Sequence, residues 1–376
     1  MPRIAEFLDL YPKVNTRRAY QAGIRLFFDV TFKHKRVNDK AVYEDLADRY
    51  FHELEQGTRS LATDLLALAT SLEASPPKTA HIRVAAVKEF FANYGIELST
   101  RETKNLNRRV PKAYAQTEEA ELTKETLRVI LQHCELKSRA PFLMLVSSGM
   151  RVGEVVQITL KDIHLDKEPV EVHIRAHYTK TGEKRTVFIS NEAAEAVREW
   201  LKIRDPFIKS SKRRNAGLVA GGRSREKKPD DNRLFPFAYK VLVTAWTSAV
   251  KKAGLFTKDE TTGRMQLHPH MLRKYFRTNA AVKIPVDVTE ALMGHGAYLS
   301  QAYRRYTHQQ LVDYYKKAES ALTIQPNEIS DEIRAEMADQ QKSIARLALK
   351  NEQLEGELRS LQKIMELAIQ KSGTKK

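Results

Sequence analysis

The stretch SSGMRVGEVVQITLKDI, residues 147–163, follows an apolar run, PFLMLV, residues 141–146. One cation, Arg151, stands between Gly149 and Gly153, after which an amphipathic pattern returns at Val155, Val156, Ile158 and Leu160. The run PFLMLVSSG is apolar nearly all round, which predicts a central helix. A buried helix rarely needs a charge at its turn. Arg151 is therefore either an ordinary helix-end cation or a functional group held at the end of a core element.

The chain around this stretch has 376 residues, enough for two ordinary domains and an appendage, and 42% of them are hydrophobic, enough for a real core. Its formal net charge is +17. Such a surplus costs self-repulsion and points to a polyanionic partner, nucleic acid first and an anionic membrane surface second. No run of 18 or more apolar residues occurs, so no membrane span is expected, and the N-terminus lacks the apolar stretch of a signal peptide. The single cysteine, Cys134, excludes an internal disulfide framework and cysteine-based zinc sites, and a reducing, cytoplasmic location is expected.

Three regions follow from the patterning. Residues 1–100 are helical: Ile4, Phe7, Leu8 and Tyr20, Ile24, Phe27, Phe28 recur at three-to-four spacing, Asn15-Thr16 offers a cap for the second helix, and helices cover about 42–56 and 60–73. After Pro76-Pro77, a helix capped at Thr79 and closed by Gly95 carries Lys78, His81, Arg83 and Lys88. These cations form either a solvated face or a stripe that meets phosphates. Residues 101–120 show no apolar period and hold Arg101, Lys104, Arg108, Arg109 and Lys112, which reads as a basic linker, a plain solvated one or a strap between two basic domains. Residues 121–322 form a mixed, mainly helical domain. Thr123 caps a helix, VEVHIRAHY (residues 170–178) alternates as a half-buried strand, TKTGEK turns at Gly182, and RTVFIS returns as a second strand. Helices are expected near 191–203, 236–253, 270–282, 285–293 and 298–318. Residues 209–232, including Arg213 and Arg214, read as a disordered insertion or as a basic loop that orders on a polyanion. The fold class is mainly α with a small β-hairpin.

From about residue 330 to 370 the period becomes seven: Met337, Ile344, Asn351, Leu358 and Met365 alternate with Ile333, Gln340, Leu347, Leu354, Leu361 and Ala368. These are a and d positions of a coiled coil, with Asn351 as a register device and Lys350 and Glu355 placed to pair between chains. A long helix packed on its own protein is the alternative.

The chemistry gathers in the middle region. Lys180 stands at the hairpin mouth, HPHMLRKYF sets His270 and Arg273 one helical turn apart, LMGHG sets His295 between glycines, and a tyrosine-rich segment with Tyr303 and Tyr306 follows. Each has an ordinary reading alone: a turn lysine, a helix-start histidine, a satisfied core histidine, a core tyrosine. No histidine pair has metal-ligand spacing with a supporting carboxylate, no GxxxxGK[ST] loop occurs, and no carboxylate set suggests a two-metal site, so neither metal nor cofactor is expected. Displacement at a phosphodiester uses this set as a whole. Two guanidiniums clamp the non-bridging oxygens, a tyrosine oxygen attacks phosphorus, a lysine protonates the leaving 5′-oxygen, and histidines take the phenol proton and hold phosphoryl oxygens.

In these residues the sequence resembles the tyrosine recombinases of the phage-integrase family over roughly residues 5–320. SSGMRVGEVVQITLKDI is similar to the family's first arginine box, YTKTGEKRTVFIS to its lysine hairpin, HPHMLRKYFRT to its H-x-x-R box and LMGHG to its Gly-His box. The resemblance implies catalytic Arg151, Lys180, His270, Arg273 and His295, an N-terminal helical core-binding domain that clamps DNA, and strand exchange through a 3′-phosphotyrosine by a tetramer on two duplexes. The family nucleophile falls about nine residues after the Gly-His histidine, where this chain has Arg304; Tyr303 is one residue earlier and Tyr306 two later. The segment ending in Leu322-Thr323-Ile324 is similar to an archaeal integrase subgroup with a C-terminal coil, which implies Tyr303 as nucleophile and Tyr306 as the alternative. A site-specific recombinase acting on double-stranded DNA in the nucleoid is the leading expectation. A type IB topoisomerase-like relaxer and a non-enzymatic coiled-coil DNA-bridging protein are the others.

Overall fold

The computed structural model describes residues 3–112, 117–179, 182–220, 231–294, 306–325 and 350, without the side chains of residues 214, 215 and 218. The chain divides into two compact units, Met1–Glu119 with Lys258–Gln266, and Ala120–Thr257 with Leu267–Lys376. Among the described residues no helix is long and apolar enough to cross a membrane.

The first unit is built on α1 (Arg3–Asp9), α2 (Val14–Thr31), α3 (Lys40–Glu55), α4 (Leu61–Ser71), α5 (Pro77–Ala92) and α6 (Thr100–Arg109). Its core is aromatic. Phe27, Phe28, Tyr50, Phe90 and Phe91 are fully buried. Phe27 meets Tyr50 edge to face at 5.2 Å and Phe91 at 5.5 Å, an arrangement that aligns ring edges with ring faces. Tyr50 satisfies its buried hydroxyl by donating to Asp64 at 2.8 Å.

Several local expectations are corrected here. The helix α2 starts at Val14 after Lys13, with no side-chain cap from Asn15 or Thr16. The helix α5 starts at Pro77, not after Thr79, because a proline at the first position supplies the helical φ and lacks only an N–H that would be unpaired anyway. Residues 100–109, expected within a linker, are helical. Ser99 and Glu102 close a capping box, and Leu106 and Val110 are buried. Two apolar side chains one turn apart suffice to dock α6, too few to register as a period against so many cations. Residues 117–119 pair with the turn 258–266, where the backbone N–H of Glu118 donates to Asp259 at 3.0 Å.

The second unit comprises α7 (Lys124–Gln132), α8 (Leu136–Ser148), α9 (Val152–Val155), β1 (Ile163–His164), β2 (Val170–Ile174), β3 (Arg185–Ile189), α10 (Asn191–Ala220), α11 (Tyr239–Lys252), α12 (Met271–Lys283), α13 (Val286–Met293) and α14 (His308–Leu322). The strands form one antiparallel sheet in the order β1-β2-β3, with Val172 opposite both Ile163 and Val187. Thr123 caps α7 by accepting from Thr126 N–H at 3.1 Å, as its position predicts. The helix α8 is central: every residue from Ala140 to Ser148 is buried, and it packs against α10 and α12. Its buried hydroxyls are satisfied along the helix, Ser147 donating to the carbonyl of Leu143 at 2.8 Å.

Three elements differ from expectation. The strand β2 ends at Ile174, and Ala176–Tyr178 is a 3-10 turn, because Arg175 and Tyr178 both turn back to donate to the buried Asp162, at 2.5 and 2.8 Å. The helix α10 runs to Ala220 with Pro206 inside it, so residues 209–220 are helical rather than an insertion loop. Buried Ile208 and Ser211 hold this extension, and buried Arg204 ties it to the carbonyl of Arg233 at 2.7 Å. The helix α14 begins only after Thr307, whose side chain accepts from Gln310 N–H at 3.2 Å while Gln310 reaches back to Thr307 N–H at 2.8 Å. This reciprocal cap starts the helix there, so the expected helix near 298–318 does not run unbroken through Tyr306 and Thr307, and residues 298–305 lie outside the described residues.

Gly149 closes α8 with φ of 64°, and a Cβ built on it would lie 2.3 Å from a ring carbon of Phe276. Gly149→Ala is expected to lose about 2–4 kcal/mol through the left-handed backbone and the collision with a packed ring. A shift of the urea midpoint measures it, and an unchanged midpoint would contradict this account.

Candidate active site

The site grows from the end of α8. After Gly149 and the fully buried Met150, Arg151 forms the N-cap of α9. Its backbone N–H donates to Glu154 at 2.8 Å and its Nη1 donates to the same carboxylate at 3.0 Å. Glu154 is 1% exposed. It also receives Nη2 and Nη1 of Arg185, at 2.6 and 3.2 Å. Burial alone would raise the Glu154 carboxyl; the guanidinium of Arg185 and then the groups of Arg151 outweigh it and hold the carboxyl below its usual range.

Arg273 reaches the same turn from α12. It is 3% exposed, and it donates through Nη1 to the carbonyl of Gly149 and through Nη2 to that of Met293 at 2.8 Å. Arg273 therefore holds the carbonyl two residues before Arg151. Burial, and after it the charge of Arg151, pushes Arg273 down to about 9, against the opposing pull of Glu154. A guanidinium keeps its proton at neutral pH even so. Two cations that strain each other in a shielded place are relieved when an anion arrives between them.

His270 is the N-cap of α12 and is exposed, one turn before Arg273. Its ring lies 6.4 Å from that of His268 and nearly parallel to it. Lys180, His295 and Tyr303 lie outside the described residues. Their flanks are described: Gly182 N–H donates to the Thr179 hydroxyl at 2.9 Å, and Gly294 ends α13 with φ of 71°. Gln157 donates to the carbonyls of Gly153 at 2.7 Å and Tyr178 at 3.4 Å, which joins the Arg151 turn to the chain entering the hairpin. Tyr306 is half-buried, packs on the core under α14 and meets the ring of Tyr314 at 6.1 Å. Tyr315 is fully buried and donates to the carbonyl of Ser147 at 2.9 Å, pinning α14 beneath the end of α8.

Of the basic residues expected to face phosphates, Lys78, Arg108, Arg109 and Arg213 are exposed and Lys88 is half-buried. Arg83 does not join them. The helical pitch turns it away from Lys78, His81 and Lys88, toward the side where α5 packs on Gly23 of α2. The side chain of Arg214 is outside the described residues. Among the described residues no group of three or more His, Cys, Asp or Glu could hold a metal ion.

Sequence reasoning passed over Glu154, Arg185 and Asp162, whereas Tyr315 reads from the sequence as a packing or surface residue and is a packing one. The three-residue step from Arg151 to Glu154 matches the spacing of a capping box and could have exposed the first. Arg185 carries no local signal, since Glu154 lies 31 residues away, and the local bond of Asp162 to Thr159 gives no hint of its ties to Arg175 and Tyr178, 13 and 16 residues away.

The chain is 24% identical over 299 residues to tyrosine recombinase XerA of Pyrococcus horikoshii, covering 77% of this chain and 90% of that protein. It is 26% identical over 311 residues to tyrosine recombinase XerA of Saccharolobus solfataricus, covering 81% of this chain and 87% of that one. Among solved structures, XerA recombinase aligns with a TM-score of 0.36 at 17% identity over 79% of this chain and 98% of that one. A lambda integrase dimer bound to a COC' core site aligns with a TM-score of 0.45 at 14% identity over 77% of this chain and 98% of that one. The phage integrase family matches residues 120–311, the stretch that carries the Arg151 turn, the sheet and α12, and the chain belongs to that family.

Proposed function

We propose that this protein is a site-specific DNA recombinase that cuts and rejoins strands through a 3′-phosphotyrosine. The observation that carries the proposal is buried Arg273 holding the carbonyl of Gly149, two residues before Arg151, in a chain of the phage integrase family. Displacement at phosphorus places extra negative charge on the non-bridging oxygens, and two guanidiniums preset beside one another stabilise it without reorganising. In this scheme Tyr303 attacks phosphorus, Lys180 protonates the departing 5′-oxygen, and His270 and His295 hold phosphoryl oxygens and accept the phenol proton. The covalent bond keeps the free energy of the one broken, so religation by the 5′-hydroxyl needs no ATP.

The first unit acts as the core-binding jaw, with Lys78, Lys88, Arg108 and Arg109 on the DNA backbone, and Arg213 and Arg214 extend the contact from the second unit. The archaeal XerA relatives support the resemblance to archaeal integrases. Incubation with a nicked suicide duplex and with paired sites tests the proposal: a covalent adduct and exchanged strands are expected. Adduct and relaxation without exchange would leave a relaxing enzyme, and binding with no adduct a bridging protein.

The heptad tail, outside the described residues apart from Lys350, joins protomers in the tetramer on paired sites or regulates their synapsis. Deleting residues 333–368 should lower the oligomeric mass while single-site cleavage persists. An unchanged mass by light scattering would count against this role.

A further inference from the structure

We propose that Arg185 is a positioning residue for Arg151 and acts through Glu154. The inference rests on the reading of Arg151 as a phosphate clamp. Glu154 sits buried between two guanidiniums, yet it does not share itself equally. Arg185 gives it two N–H groups from a side chain only 10% exposed, whereas Arg151 gives one side-chain N–H from a side chain 28% exposed. A guanidinium fully matched to a carboxylate has little charge left for a phosphate. Arg185 takes up the Glu154 charge from the inner side. Arg151 is thereby oriented by the carboxylate without being neutralised by it, and the three groups together retain one positive charge facing the site.

The same guanidinium reaches further. Its Nε donates to the carbonyl of Leu292 at 3.1 Å, and a Cβ on Gly294 would lie 2.9 Å from its Cδ. The carbonyl of the intervening Met293 is the one that Arg273 holds. One side chain on β3 thus braces the Arg151 turn and the end of α13 to which Arg273 donates. No other pairing of Glu154 could replace it, since a buried carboxylate left to Arg151 alone would draw that guanidinium inward.

The test is the rate of covalent adduct formation on a nicked duplex under single-turnover conditions, with DNA affinity measured in parallel. Arg185→Met should slow the adduct roughly 100-fold, as expected when a reacting group is misplaced by about 1 Å, with DNA affinity nearly unchanged. Arg185→Lys, which keeps the charge and the fold, should recover part of the rate. In an Arg151→Ala background Arg185→Met should add little, because both changes remove the same interaction. Glu154→Gln should partly rescue Arg185→Met, because it removes the charge that Arg185 neutralises. Independent, multiplicative losses with no rescue by Glu154→Gln would overturn the inference while leaving the clamp intact. An Arg151→Ala variant as fast as the parent protein would instead overturn the clamp itself, and the inference with it.

Discussion

Replacing Tyr303 by phenylalanine should abolish the covalent protein–DNA adduct while DNA affinity stays within a few-fold of the parent, and Tyr306→Phe should leave the adduct in place. Removing only the phenol oxygen deletes the attacking atom and little else. Loss of a nucleophile in other covalent catalysts costs on the order of 10^6-fold, beyond detection in a gel assay. Tyr306 is tied into the fold at the start of α14. It lies immediately before Thr307, whose reciprocal cap with Gln310 starts α14, and its ring packs on the core and on Tyr314. Moving its ring away from where it now packs would give up those contacts. Two fully buried anchors, Tyr315 and Leu322, hold α14 in place. Loss of the adduct in Tyr306→Phe together with its retention in Tyr303→Phe would reassign the nucleophile.

The second large effect is expected at the arginines. Arg151→Ala and Arg273→Ala should each slow adduct formation by about 10^2- to 10^3-fold, the scale on which one preset donor to a developing oxyanion acts. DNA binding should persist, because the backbone contacts of the duplex are spread over many other cations. The two variants should differ in stability. Arg151 is partly exposed, and its partner Glu154 keeps Arg185 when it is removed. Arg273 is buried and supplies donors to the carbonyls of Gly149 and Met293, so its loss leaves two buried acceptors without them, at about 1–3 kcal/mol each before the relief of removing a buried cation. Urea denaturation beside the cleavage assay separates the two effects. Full strand cleavage by Arg151→Ala would contradict the assignment of the clamp.

Much of this was legible in residue order. The apolar run before Gly149 announced a buried helix, and α8 is buried along its whole second half. The three-residue step from His270 to Arg273 placed both on one side of a helix start, and α12 begins there. The hydroxyl at Thr123 and the alternation around Val172 announced a helix start and a strand, and both formed. Such signals are local, because helix pitch, strand pleat and cap spacing act over a few residues. Where a stronger neighbour competed, the local reading slipped: Pro77 started α5 ahead of Thr79, and Leu106 with Val110 docked a helix whose cations had suggested a linker.

By itself, then, the sequence determined the helical class and the placing of Arg151 and His270 at helix starts. Only the tertiary structure decided which charges are buried and with whom. Glu154 between Arg151 and Arg185, Asp162 beneath Tyr178, and Tyr315 under Ser147 are contacts with partners up to 168 residues away. The physical reason is that desolvation and ion pairing depend on how much water the whole fold removes from a site, a quantity no window of neighbouring residues contains.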